Sequence, residues 1–261
     1  MKQLKSSLKD LREVFERSIT IMNIAEPLSS FDITASPNSV KKFMEDKDYD
    51  VIGIRENGFI SGYVKKVELS DGIISDYLIH FNKNKNEIFS ETTSLIDVFK
   101  SFKNLERIFV LTLGEIGGIV TRGDLQKITI RMWLFSLISL IEMQLLRIIR
   151  EYYPGECWKR NISDKRLKEA NKLFLQRQAS DVAIDLLDCV QFCDKRDIIL
   201  KNKQIIERLG FNDKLIYRFL KDLEILRNSL AHAQNIIAGE LPDFIILVEG
   251  AEDFLYKCEG I

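Results

Sequence analysis

Two histidines, four cysteines and four prolines in 261 residues leave little material for several common kinds of site. His80 and His232 are too few and too badly placed for a histidine-rich metal centre, and Cys157, Cys189, Cys193 and Cys258 contain no CxxC pair with metal-ligand spacing. Cys189 and Cys193 stand at i and i+4 on a helical stretch, yet neither histidine completes a zinc site there. The cysteines therefore read as small buried hydrophobes of a reduced compartment, and no metal is expected. A surplus of one charge is missing as well. A net charge of -1 excludes coating of nucleic acid by bulk positive charge, but it leaves room for a local basic site. The locality is residues 159–177, where Lys159, Arg160, Lys165, Arg166, Lys168, Lys172 and Arg177 face only Asp164 and Glu169. Such a run is either a solvated helix face or a strip that guides RNA. Long apolar runs are absent too. Residues 132–141 have about half the length a bilayer requires, and Arg131 and Glu142 close them off. The N-terminal leucines recur among charges and form no signal-peptide core. A soluble, cytoplasmic chain with no membrane partner is the expectation.

The length accommodates two ordinary domains, and the pattern changes accordingly. Residues 4–22 predict an amphipathic helix with Leu4, Leu8, Leu11, Phe15 and Met22 on one side. Short strands around a helix follow: FDITAS, a helix from Pro37 through VKKFMEDKD, DVIGI, an Asn57-Gly58 hairpin turn, and FISGYV. The same order returns as NEIFSE, SLIDVFKSFKN, RIFVLT, a turn at 113–115, and IGGIVT. Aligning Gly62 with Gly118 gives an internal period of about 55 residues. Beyond Asp124 the strands stop, and helices are predicted over 124–152, 165–194, 197–209, 214–237 and 243–258. The fold class is α+β, a duplicated β-α-β-β-α unit followed by an all-α bundle. The boundary falls at 128/129, with long connecting helix 129–152 apolar around most of its middle.

The second repeat ends in Gly118, Ile119, Val120, Thr121, Arg122, Gly123, Asp124. Glycine permits close backbone approach to a ligand. Thr121 and Asp124 sit at a strand-to-helix junction, where exposed N–H groups favour a phosphate. Arg122 can neutralise a phosphate or stay solvated, and Thr121 with Asp124 can equally be a plain helix cap. In the first repeat the string is Gly62, Tyr63, Val64, Lys65, Lys66, Val67, Glu68, with lysine for the hydroxyl and Glu68 for the aspartate.

This duplicated unit resembles a tandem CBS (cystathionine beta-synthase) domain pair, the Bateman module, with repeats over about 20–75 and 76–128. The resemblance implies that Asp124 receives hydrogen bonds from ribose hydroxyls and that Thr121 meets ribose or phosphate. It implies an adenine nucleotide (AMP, ADP or ATP) or S-adenosylmethionine as regulatory ligand. The first site, at Lys65 and Glu68, is either a polyphosphate variant or degenerate.

Near the other end stands RNSLAH, from Arg227 and Asn228 to His232. Cleaving RNA through its own 2′-hydroxyl requires a proton shuttle near neutral pH, for which histidine with its ordinary pKa of about 6.5 is suited. It also requires a cation for the transition state, a role for a forked guanidinium. At about 100° per residue, Phe219, Leu223, Leu226, Leu230 and Ile237 share one stripe, His232 points away from it, and Arg227 flanks it. An ion pair of Arg227 with Glu224 or Asp222 is the plainer role. The segment from about 157 onward resembles a HEPN (higher eukaryotes and prokaryotes nucleotide-binding) domain. That resemblance implies a helical bundle that pairs across a two-fold axis, with Arg227, Asn228 and His232 catalytic in RNA-cleaving members. Basic and acidic residues balance from 129 to 261, which offers RNA no general attraction.

Three functions follow as expectations. One is a homodimeric regulatory protein in which a bound nucleotide controls a helical domain acting on a partner protein. Another is a nucleotide-gated, metal-independent endoribonuclease, and the third is a structural dimer with a relic sensor. The first two require a ligand that prefers one of two states.

Overall fold

The computed structural model describes residues 7–81, 87–179, 184–232, 234–237 and 239–259. The chain divides into two compact units, one of Val14–Thr129 and a second of Met1–Glu13 with Ile130–Ile261. The beginning of the first helix thus groups with the C-terminal helices rather than with the repeats that follow it.

In Val14–Thr129 the first sheet contains β2 (Ser30–Asp32), β3 (Val51–Glu56), β4 (Phe59–Lys65) and β5 (Ile79–His80), in that order. The second contains β6 (Ile88–Ser90), β7 (Arg107–Thr112) and β8 (Glu115–Thr121), flanked by β1 (Glu26–Pro27). Each has one parallel pair, joined through α2 (Pro37–Lys47) or α3 (Leu95–Ser101), and an antiparallel hairpin. The pairing Val51–Lys65 recurs as Arg107–Thr121, 56 residues on, and both hairpins carry a bulge at the same place, after Ile54 and after Val110. The edges are exchanged. β1 precedes the first repeat yet pairs with β8 of the second, while β5 pairs with β4. Val40, Met44, Ile52, Ile54 and Val64 form the core of the first repeat. A second cluster joins both sheets through Leu28, Val51, Tyr63 and Phe109, with Tyr63, Phe81 and Phe109 rings in mutual contact.

Both hairpin turns use two left-handed residues, Asn57 (φ 53°) with Gly58 (φ 90°) and Leu113 (φ 51°) with Gly114 (φ 88°). The first is a standard Asn-Gly turn, whereas Leu113 holds a conformation that costs a branched L-residue about 1–2 kcal/mol.

The helices are α1 (Leu8–Arg17), α4 (Ile128–Tyr152), α5 (Asp164–Gln178), α6 (Phe192–Leu200), α7 (Lys203–Leu209), α8 (Asp213–Ala231) and α9 (Leu241–Glu259). Leu8 and Phe15 are buried as expected of α1, Met22 falls beyond it and is exposed, and Leu4 lies outside the described residues. The single helix expected over 165–194 is interrupted. Asp185 and Asp188 exchange backbone-to-carboxylate hydrogen bonds at 3.0 Å each, fixing a 3-10 turn at Leu186–Cys189, and Arg150 of α4 clamps both carboxylates. The stretch 197–209 divides at Asn202, whose Oδ1 accepts the Gln204 N–H and starts α7. The helix expected over 214–237 stops at Ala231, where the Arg131 guanidinium takes the carbonyls of Ser229, Leu230 and Gln234. The buried stripe of α8 is Ile216, Leu220, Leu223 and Leu226; Phe219 lies at its border, and Ile237 is past the helix end.

Helix α4 is one continuous apolar rod of 25 residues, with the length and hydropathy of a bilayer-crossing helix. Half of its most apolar window is buried inside the protein. Trp133, Leu137, Ile141, Leu145 and Ile148 form that buried side.

Candidate functional site

A cavity of about 730 Å³ opens between the two repeats. From the second repeat it receives Thr121, Arg122, Gly123 and Asp124, with Ile119 of β8 and the Glu106–Arg107 entry to β7. From the first repeat come the β1 segment through Ser29 and the loop Asp48, Tyr49, Asp50 leading into Val51. Thr121 ends β8, and the chain turns at once into a 3-10 helix, Arg122–Gln126, that runs on to α4.

Asp124 is buried and organises the turn. One carboxylate oxygen accepts the Thr121 N–H at 2.7 Å and the Thr121 hydroxyl at 2.9 Å. Lys127 sits 2.9 Å from its other oxygen, and the same ammonium donates to Glu26 and to the Ile24 carbonyl. Burial pulls the pKa of Lys127 down, but its hydrogen bonds to Glu26 and Asp124 outweigh that and hold it above the ordinary lysine range. The capping role of Thr121 and Asp124 is therefore present, and both residues also face the cavity. An ionised carboxylate has about four acceptor positions, and Thr121 and Lys127 occupy all but one on Asp124, so it has one left for a ligand hydroxyl and gains a second only by releasing Lys127.

Charge around the cavity is predominantly acidic, from Glu26, Asp48, Asp50, Glu106 and Asp124. Arg107 is paired to Glu106 at 2.8 Å and lies over the Tyr63 ring. Lys66 stands 3.7 Å from both Asp48 and Asp50. Arg122 is the lining cation that makes no ion pair among the described residues.

Gly118 does not line this cavity. A Cβ there would lie 3.1 Å from the Val110 Cβ and 3.4 Å from the Glu26 carbonyl, so its missing side chain serves strand packing rather than ligand approach. Its counterpart Gly62 is tighter, with a Cβ falling 2.4 Å from the Ile79 carbonyl oxygen. Lys65 and Glu68, the counterparts of Thr121 and Asp124, pair with each other at 3.2 Å and lie outside the cavity. The contributions of Glu26 to Ser29 and Asp48 to Val51 escaped the sequence reading. The exchanged edge strand is what sets Glu26 and Pro27 beside β8.

At the other string, Arg227, Asn228 and His232 are all exposed. Arg227 Nη1 donates to Asn228 Oδ1 at 3.3 Å, while Glu224 is taken by Arg196 at 2.6 Å. Arg227 and Asn228 border a cleft of about 420 Å³ in the helical unit; His232 caps the end of α8 and does not line it. No group of three or more His, Cys, Asp or Glu side chains among the described residues is arranged to hold a metal ion.

The unit is thus a mixed α+β body built from two matching halves, with a hydroxyl and an acid at the mouth of the cavity between them. Several solved structures similar to this chain are CBS-domain proteins. CBSX2 in complex with AMP is 14% identical, with 44% of this chain and 98% of that one covered and a TM-score of 0.38. CbpB in complex with c-di-AMP is 15% identical, covering 48% and 93%, with a TM-score of 0.39. The CBS domain of a membrane protein from Sphaerobacter thermophilus is 15% identical, covering 45% and 91%, with a TM-score of 0.36. No protein-family model and no curated protein matches the sequence.

Proposed function

We propose that the unit Val14–Thr129 is a sensor for an adenine nucleoside ligand and that its occupancy regulates the helical unit. The observation that carries this reading is Asp124: a buried carboxylate, already gripping Thr121, at the mouth of a cavity large enough for a nucleotide. Ribose hydroxyls donate to Asp124, and Arg122 takes the attached phosphate. With five carboxylates on the wall and Arg122 alone uncommitted, the cavity suits one phosphate or a cationic sulfonium better than a triphosphate. AMP and S-adenosylmethionine are thus favoured over ATP.

The route to the helices is covalent. The Thr121–Asp124 turn leads through Lys127 directly into α4, so a ligand that recruits Asp124 competes with Lys127 at the base of that helix. The chain acts as a homodimer through the exposed side of α4 that carries Met132, Phe135 and Met143.

The test is a melting-shift panel of AMP, ADP, ATP, c-di-AMP and S-adenosylmethionine on the full chain and on Asp124→Ala. A ligand at a hundred times its Kd stabilises the parent by about 2.7 kcal/mol, and the variant is expected to lose the shift. Equal shifts in both proteins would remove the ligand from this cavity.

A further inference from the structure

Glu13 and Val14 mark one of two places where the chain passes between its units; the other lies between Thr129 and Ile130. Each passage falls inside a continuous helix, α1 or α4, and neither helix contains a glycine or proline. Such connections are rods rather than linkers, so a displacement at one end is carried to the other instead of being absorbed. The route proposed above uses α4, whereas α1 connects to the opposite wall of the same cavity.

From Arg17 the chain runs through residues 18–25 into β1, which lines the cavity and pairs with β8. That short run is tied down along its length. Ile21 and Ile24 are fully buried, the Ile21 N–H donates to the Thr93 carbonyl at 2.9 Å, and the Leu95 N–H donates to the Ile19 carbonyl at 3.1 Å. The Thr20 N–H donates to Asn23 Oδ1 at 2.9 Å and closes a capping box. Lys127 then joins the roots of both helices. It directly precedes α4, and its ammonium donates to the Ile24 carbonyl and to Glu26 of β1 while holding Asp124. The far end of α1 is fastened as well. Arg12 Nη2 donates to Glu252 of α9 at 2.9 Å, with Leu8 buried one turn earlier on the same face. The Glu252 side chain is only 7% exposed, and a carboxylate so placed does not readily give up its cation.

We propose that α1 is a second output of the ligand cavity, a helical strap that passes the state of the Lys127 clasp to α9 through Arg12 and Glu252. This rests on the regulatory reading above and adds the place where it acts, the stretch of α9 around Glu252. While Lys127 holds Ile24, Glu26 and Asp124, the roots of α1 and α4 are bound to one another. A ligand that takes Asp124 removes one of those three attachments, and both rods then carry the change.

The test opens the clasp by mutation, so its outcome does not depend on which nucleotide the cavity takes. Amide hydrogen exchange of the full chain is followed by mass spectrometry in the parent and in Lys127→Ala. Peptides of α9 around Glu252 are expected to change their exchange rate by about threefold or more. Glu13→Gly with Val14→Gly softens α1 at its passage through two exposed positions. In that background Lys127→Ala should leave α9 unaffected. Arg12→Gln with Glu252→Gln replaces the ion pair by two amides and is expected to give the same result should the glycine pair fail to fold. An α9 rate that ignores Lys127→Ala overturns the proposal. So does a change that persists in both backgrounds, which would assign the whole signal to α4. AMP added to the parent separates this proposal from the nucleotide reading. A response of α9 to Lys127→Ala but not to AMP upholds the strap and removes AMP as its ligand; the reverse pattern removes the strap alone.

Discussion

The two repeats have the same topology and nearly the same register, yet they treat one pair of positions in opposite ways. In the second, Thr121 and Asp124 bind each other and still look into the cavity; in the first, Lys65 and Glu68 form an ion pair outside it. The difference is one of place: Lys65 and Glu68 pair on the surface, whereas Asp124 is buried and lines the cavity together with Thr121. The first repeat contributes instead through the β1 segment, Glu26 to Ser29, and the loop into β3, Asp48 to Val51, which line the same cavity. The cavity thus has two sources of wall, one from each repeat.

The sharpest way to break this comparison is at the paired glycines. Gly62→Ala drives a Cβ against the Ile79 backbone oxygen, which cannot swing aside, and is expected to destabilise by about 3 kcal/mol. Gly118→Ala meets the Val110 side chain at 3.1 Å and is expected to cost about 1 kcal/mol. Urea titration followed by far-UV circular dichroism separates the two; equal costs would mean that the strands relax alike. Exchanging the strings is the next largest effect. Thr121→Lys with Asp124→Glu should weaken nucleoside binding at least tenfold, about 1.4 kcal/mol, whereas Lys65→Thr with Glu68→Asp should leave the affinity within twofold. Isothermal titration with the best ligand of the panel decides it, and a loss from both exchanges would show that the first string participates.

The hairpin turns provide a smaller contrast. Leu113 is fully in water at 92% exposure and left-handed, in the place where the first repeat has Asn57. Leu113→Asn should therefore stabilise by about 1 kcal/mol, with Asn57→Leu costing a similar amount. Thermal melts of the two variants should move in opposite directions. Last, Lys127→Ala frees one oxygen of Asp124 and should tighten nucleoside binding about threefold, less than 1 kcal/mol. Weaker binding in that variant would make Lys127 a contact of the ligand rather than its competitor.

Most of the duplicated body was legible because its signals are local. Alternating strands, the Asn-Gly turn and the recurrence of a glycine near position 62 at position 118 are properties of short windows. The two-residue strands β1 and β5 were not, since Glu26–Pro27 acquires strand character only from a partner some ninety residues away. The helices were found in kind but their ends were misplaced. Nothing in 165–194 is a glycine or proline; α5 ends at Gln178, residues 180–183 lie outside the described residues, and the 3-10 turn beyond them is held by an aspartate pair gripped by Arg150 from elsewhere in the fold. The end of α8 is likewise set by Arg131, a residue that read only as the border of an apolar run.

The exchanged edge has a consequence for how this protein can be cut. Residues 26–27 leave the ribosome well before their partner strand does, so they wait unpaired until β8 has been made. A truncation beginning at about residue 76 would discard that strand and leave β8 with a bare edge, open to pairing with a neighbouring molecule. Fragments meant to keep that edge paired must therefore retain 14–129 whole.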